Sequence, residues 1–97
     1  MKTLRWENKT LIVLDQTKLP SEEVYRRCTS WREVREAISV LAVRGAPAIG
    51  IAAAYAVVLA AAEIQAGGSE KTTAFIAELE EIAASLDAVR TTAVKLH

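Results

Sequence analysis

Arg44-Gly45-Ala46-Pro47 is the stretch of this chain best equipped to hold a ligand. Arginine offers a planar fork of donors matched to phosphate or carboxylate. Gly45 lets the backbone turn sharply, or approach a ligand, with no Cβ in the way. Pro47 suits the first turn of a helix, where its missing N–H has no partner to lose. The amides beyond Gly45 would then leave a helix N-terminus, whose dipole favours an anion. Together these residues describe an oxyanion cradle. They equally describe an ordinary turn between two helices with a solvent-facing arginine, since three small residues are no fingerprint. Arg90 has a comparable setting. Asp87-Ala88-Val89-Arg90 reads as a connector, and Thr91 or Thr92 could cap a fourth helix. Two arginines beside two helix starts could then grip one anion from two sides.

Other chemically capable residues are weaker candidates. Cys28 has no activating neighbour and is expected to be a small, half-buried side chain rather than a nucleophile. Glu78, Glu80 and Glu81 lie close together, but no His or Cys joins them, so a solvated helix face is expected and no metal site. His97 has no visible partner.

These residues need elements to hold them. Leu4-Arg5-Trp6 and Leu11-Ile12-Val13-Leu14 flank the polar link Glu7-Asn8-Lys9-Thr10 and predict a β-hairpin. A loop runs from Asp15 to Pro20, which forces Leu19 extended. Val24–Cys28 predicts a third strand, with Val24, Arg26 and Cys28 on one face. Ser30-Trp31-Arg32-Glu33 is a capping-box pattern, with Glu33 reaching back to the cap amide. Val34, Ala37, Ile38 and Leu41 then form one apolar stripe on a helix ending near Val43. A long helix is predicted from about Pro47 to Ala66, stopped by Gly67-Gly68. A third, from about Lys71 to Leu86, would bury Phe75, Leu79, Ile82 and Leu86. The fold class is therefore α+β: a small N-terminal three-stranded sheet over residues 1–29, then a mainly helical part over 30–97 with three helices and the start of a fourth.

The totals narrow the function. Twelve basic and twelve acidic residues balance, so the chain has no electrostatic footprint for nucleic acid or an anionic membrane. A single cysteine makes no internal disulfide, and the opening residues lack the apolar region of a signal peptide, which points to the cytoplasm. The uncharged run from Ala46 to Ala62 falls short of the roughly 20 apolar residues a bilayer needs, so it is read as a central helix. That helix needs more cover than two amphipathic helices and a hairpin supply, so exposed patches and self-association are expected. A helix starting at Thr91 or Thr92 and stopping at His97 implies a truncation before a further domain.

Three stretches, in order, resemble the methylthioribose-1-phosphate isomerase family, which is similar in architecture to initiation factor 2B. Leu11-Ile12-Val13-Leu14-Asp15-Gln16 with Leu19-Pro20 resembles its opening "L-x-L-L-D-Q…LP". Val43–Tyr55 resembles its "VRGAPAIG-x-AAAYG" segment, and Arg90–Leu96 its "RPTAVNL". The resemblance implies an enzyme of methionine salvage that converts an aldose 1-phosphate into a ketose 1-phosphate with no metal or organic cofactor, and that forms a homodimer. It implies substrate binding by Arg44, Gly45, Ala46 and Arg90. The family's catalytic Cys and Asp belong to a C-terminal Rossmann-like domain, and no position here matches them; Cys28 is not that cysteine. The chain departs from the pattern at Thr91 (usually Pro), Lys95 (usually Asn) and Ala56 (often Gly). Two other readings fit the same pattern: a ribose-1,5-bisphosphate isomerase fragment, and a non-catalytic helical module like the regulatory subunits of the translation-initiation nucleotide-exchange factor.

Overall fold

A computed structural model describes residues 3–67 and 72–96. Gly68, Lys71 and His97, which figured in the readings above, lie outside the described residues.

Three strands, β1 (Leu4–Glu7), β2 (Thr10–Leu14) and β3 (Tyr25–Cys28), form an antiparallel meander in that order. Asn8 and Lys9, both at positive φ (48° and 58°), make the two-residue turn between β1 and β2. That geometry matches the twist of the flanking strands. The register places Trp6, Leu11 and Cys28 side by side, and likewise Leu4, Val13 and Arg26. Leu11, Val13 and Cys28 on this face join the main core. Ile12 and Leu14, on the other face, are also buried. The middle strand is thus covered on both sides, which explains its unbroken apolar run.

Helix α1 (Trp31–Ser39) buries Val34, Ala37 and Ile38. Its N-terminus departs from the predicted capping box. Ser30 Oγ accepts from the Arg32 amide, while Glu33 Oε1 accepts from the Thr29 amide (3.0 Å) and the Thr29 hydroxyl (2.9 Å), one residue before the cap. The C-terminus also comes earlier than Val43. Leu41 takes a left-handed conformation (φ 61°); its amide donates to Ile38 O (3.1 Å), and the Ala42 amide to Ala37 O (2.9 Å). This paired closure satisfies two of the helix's last carbonyls and turns the chain away.

Helix α2 (Ala46–Ala66) follows and buries Ile49, Ala52, Ala56, Leu59, Ala60 and Ile64. With 21 residues and a mean hydropathy of 1.8 it is long and apolar enough to cross a bilayer, contrary to the count of uncharged residues alone. Here its inner face packs on α1 and α3. Its outer face leaves Ile51 and Val58 more than half exposed.

Helix α3 runs unbroken from Thr72 to Leu96. This corrects the predicted connector at Asp87–Arg90 and the separate fourth helix: the described residues form three α-helices, and Thr91 and Thr92 cap none of them. Leu86 and Ala93 are buried, and Ile82 and Val89 pack against the same core. This stripe keeps helical phase straight through the supposed connector. Glu78, Glu80 and Glu81 are exposed, and no cluster able to hold a metal occurs among the described residues. A hydrogen bond from Arg35 Nε to Ser85 Oγ (2.9 Å) ties α1 to α3. Trp6 and Tyr55 stack with centroids 4.8 Å apart and rings 13° from parallel, fastening the sheet to α2.

Candidate functional site

The turn between α1 and α2 has the geometry its residues foretold. Gly45 occupies the N-cap position of α2 at φ 90°, ψ 128°. That conformation is open to glycine and rare for any residue with a Cβ. No side chain caps the helix, and Pro47 in its first turn contributes no N–H. The Gly45 carbonyl already accepts from the Ile49 amide (2.9 Å). Ala46 and Pro47 are exposed, Gly45 and Ala48 half-buried. Arg44 is exposed and makes no hydrogen bond or ion pair among the described residues. An exposed arginine with no partner among the described residues thus immediately precedes the N-cap of a helix that no side chain caps, a setting suited to an anion such as a phosphate.

Arg90 is placed differently. It lies inside α3, not ahead of a helix, and donates to Asp87 Oδ1 from Nη2 (2.7 Å) and Nε (3.2 Å). Both side chains remain substantially exposed. They border a groove between α2 and α3 whose lining includes Gly50, Ala53, Val57 and Leu86. Because Arg90 lies within α3, it does not stand at a second helix start. On the opposite flank of α2 a second groove is lined by Arg5, Pro47, Ala48, Ile51 and Tyr55 among others. Arg5 is a cation that no local pattern placed near the α2 terminus; it pairs with Glu7 at 3.3 Å.

Asp15, read from the sequence as a loop residue within a resembled motif, was given no role of its own. It is 1% exposed and is the one buried polar or charged residue among those described. Oδ1 accepts the Thr17 amide (2.9 Å) and the Thr17 hydroxyl, capping a 3₁₀ turn at Gln16–Lys18; Oδ2 accepts Arg26 Nε (2.8 Å). Burial pushes the carboxyl's pKa up, but the bonds from Thr17 and Arg26 outweigh it and leave it below the ordinary 3.8. The available signal was Asp-x-Thr after a strand, a local capping pattern. Cys28 is buried rather than half-buried, and that burial, with the Glu33 charge adding to it, pushes its thiol up to about 11. A thiol so protonated is no nucleophile.

Solved structures place this arrangement in a class. The chain superposes on 5-methylthioribose 1-phosphate isomerase from Pyrococcus horikoshii with a TM-score of 0.83 and 34% identity, covering 98% of this chain and 26% of that one. It superposes on the delta subunit of translation initiation factor eIF-2B from A. fulgidus with a TM-score of 0.78 and 37% identity, covering 99% and 27%. The fold is thus one that isomerase and initiation-factor chains share.

Sequence relatives narrow it further. The chain matches the N-terminal region of methylthioribose-1-phosphate isomerases. It is 52% identical to the one from Pelotomaculum thermopropionicum over 98 residues, covering 100% of this chain and 26% of that protein. It is 49% identical to the one from Desulforamulus reducens, covering 100% and 27%. The chain therefore spans about a quarter of the length of these relatives. No family model matches it.

Proposed function

We propose that this chain is the substrate-binding N-terminal part of a methylthioribose-1-phosphate isomerase, with the phosphate of the sugar held at Arg44, Gly45 and Ala46. The observation that carries this reading is the unpaired Arg44 beside the uncapped start of α2, in a chain half identical to these isomerases along its whole length. Arg90 is assigned to the same substrate as a second contact, reached by exchanging its bond to Asp87 for one to the ligand. The reaction is aldose–ketose isomerisation of 5-methylthioribose 1-phosphate, which moves a proton between adjacent carbons and needs a positioned acid or base. Near the α2 terminus the described residues offer arginines and the exposed, paired carboxylates Glu7 and Asp87, none suited to that task. The chain alone is therefore taken to bind without turning over. The acid–base groups are assigned to a C-terminal catalytic domain in a cytoplasmic, homodimeric enzyme that requires no cofactor.

Isothermal titration of 5-methylthioribose 1-phosphate into the chain and into Arg44→Ala tests this. Weak binding that is lost in the variant is the expected result. Equal binding by both, or no heat from a demonstrably folded chain, overturns it. The eIF-2B delta neighbour supports a second reading, a non-catalytic module, and such a chain would give no heat.

A further inference from the structure

Asp15 raises a question that packing does not answer: why a small domain would bury a carboxylate. A buried ion pair is seldom worth its desolvation in stability alone, but it can fix a geometry. The geometry in question lies at the backbone on either side. The Asp15 amide donates to Val24 O (2.8 Å), and the next amide, Gln16, donates to Ala42 O (2.9 Å). Ala42 is also the residue whose amide closes the end of α1 on Ala37. Val43, 2% exposed, comes next, and then Arg44. The chain entering Arg44 is therefore held from two sides, by α1 and by the amide that follows Asp15.

We infer that Asp15 is the positioning residue of the Arg44–Gly45 turn, acting through the bond from Gln16 to Ala42. The inference rests on the phosphate-binding reading of that turn. Thr17 and Arg26 grip the carboxylate from opposite sides, which fixes the peptide plane that aims the Gln16 amide at Ala42. Asp15→Asn keeps the shape but turns an amide group toward either Arg26 or Thr17, so one donor faces a donor. The Gln16–Ala42 bond then loosens, and with it the placement of the Arg44 guanidinium and the Ala46 amide. Asp15 touches no ligand.

The test is a titration of inorganic phosphate followed through the amide resonances of the folded chain, comparing wild type, Asp15→Asn and the milder Thr17→Val. Native-state resonances report affinity separately from stability, so a merely structural role would lower the unfolding midpoint and leave the affinity unchanged. The expected result is saturable shifts at Gly45 and Ala46 in wild type. The affinity should fall about tenfold in Asp15→Asn and about two- to threefold in Thr17→Val, and Gln16 amide exchange should quicken in both. Wild-type shifts with unchanged affinity in the folded variants overturn the positioning role and leave the Arg44 reading standing. No wild-type shift at Gly45 or Ala46 overturns both.

Discussion

Arg44 and Arg90 carry the same side chain and were read from the same local cue, yet the fold treats them in opposite ways. Around Arg44 the backbone is forced: Leu41 ends α1 in a left-handed turn, Gly45 sits at φ 90°, and Pro47 opens α2. The guanidinium left at that corner has no partner among the described residues. Around Arg90 nothing interrupts the helix. Arg90 sits on the continuous α3, paired with Asp87 three residues earlier. A chain break leaves helix-end amides free beside Arg44; Arg90, on a continuous helix, finds a neighbour three residues away instead.

The contrast can be broken at either end. The largest effect belongs to Thr91→Pro, which would bring to Arg90 the kind of break that Arg44 already has. Proline at 91 removes the amide that bonds the carbonyl of Asp87 and clashes with it, costing about 3 kcal/mol in urea unfolding, with a loss of helix signal. An unchanged midpoint would mean that α3 is already interrupted there. Next comes Gly45→Ala. A Cβ at this position meets nothing within 4 Å, so its cost is one of backbone conformation only, about 1–3 kcal/mol. The same substitution at Gly50, helical and equally open, should stabilise by about 0.5–1 kcal/mol. Equal signs at the two glycines would refute the forced turn. The smallest effect is present at neutral pH and fades in acid. Because the Asp15 carboxyl lies below 3.8 in the folded state, its stabilisation is complete above that value and is lost as pH falls below it, through the lowered folded-state pKa. Wild type should therefore converge on Asp15→Asn in acid unfolding experiments below about pH 4; no convergence would mean the carboxylate is not preferentially ionised in the fold.

Much of this was legible in the residues. The hairpin, the third strand, the long α2 and the Gly45–Pro47 start all follow from turn chemistry and apolar spacing. Three features did not. The end of α1 depends on Leu41 adopting a conformation that no local pattern assigns to leucine. The continuity of α3 was hidden by a polar-looking stretch, Asp87 to Thr92, although Ile82, Leu86, Val89 and Ala93 keep helical phase across it. The third is Asp15, whose partner Arg26 lies eleven residues away across a loop and meets it only once β2 and β3 pair. Local signals thus found the Gly45–Pro47 turn itself. The contact between Asp15 and Arg26 behind it is tertiary and could not be read in advance.

Departures from the family pattern can be judged by position. Ala56 is fully buried, so its methyl group fills space in the core of α2. Thr91 allows α3 to run on, where the proline common at this point would have marked a helix start. Lys95 is exposed in the last turn of α3, where a positive charge complements the helix dipole.

The stacked rings of Trp6 and Tyr55 have an optical consequence. One ring belongs to the edge strand of the sheet and the other to the middle of α2, so their coupling exists only while the two layers are docked. Near-ultraviolet circular dichroism therefore carries a tertiary signal separable from helix content. A state that kept its helices but let the sheet swing away would lose that band first, with the far-ultraviolet spectrum almost unchanged.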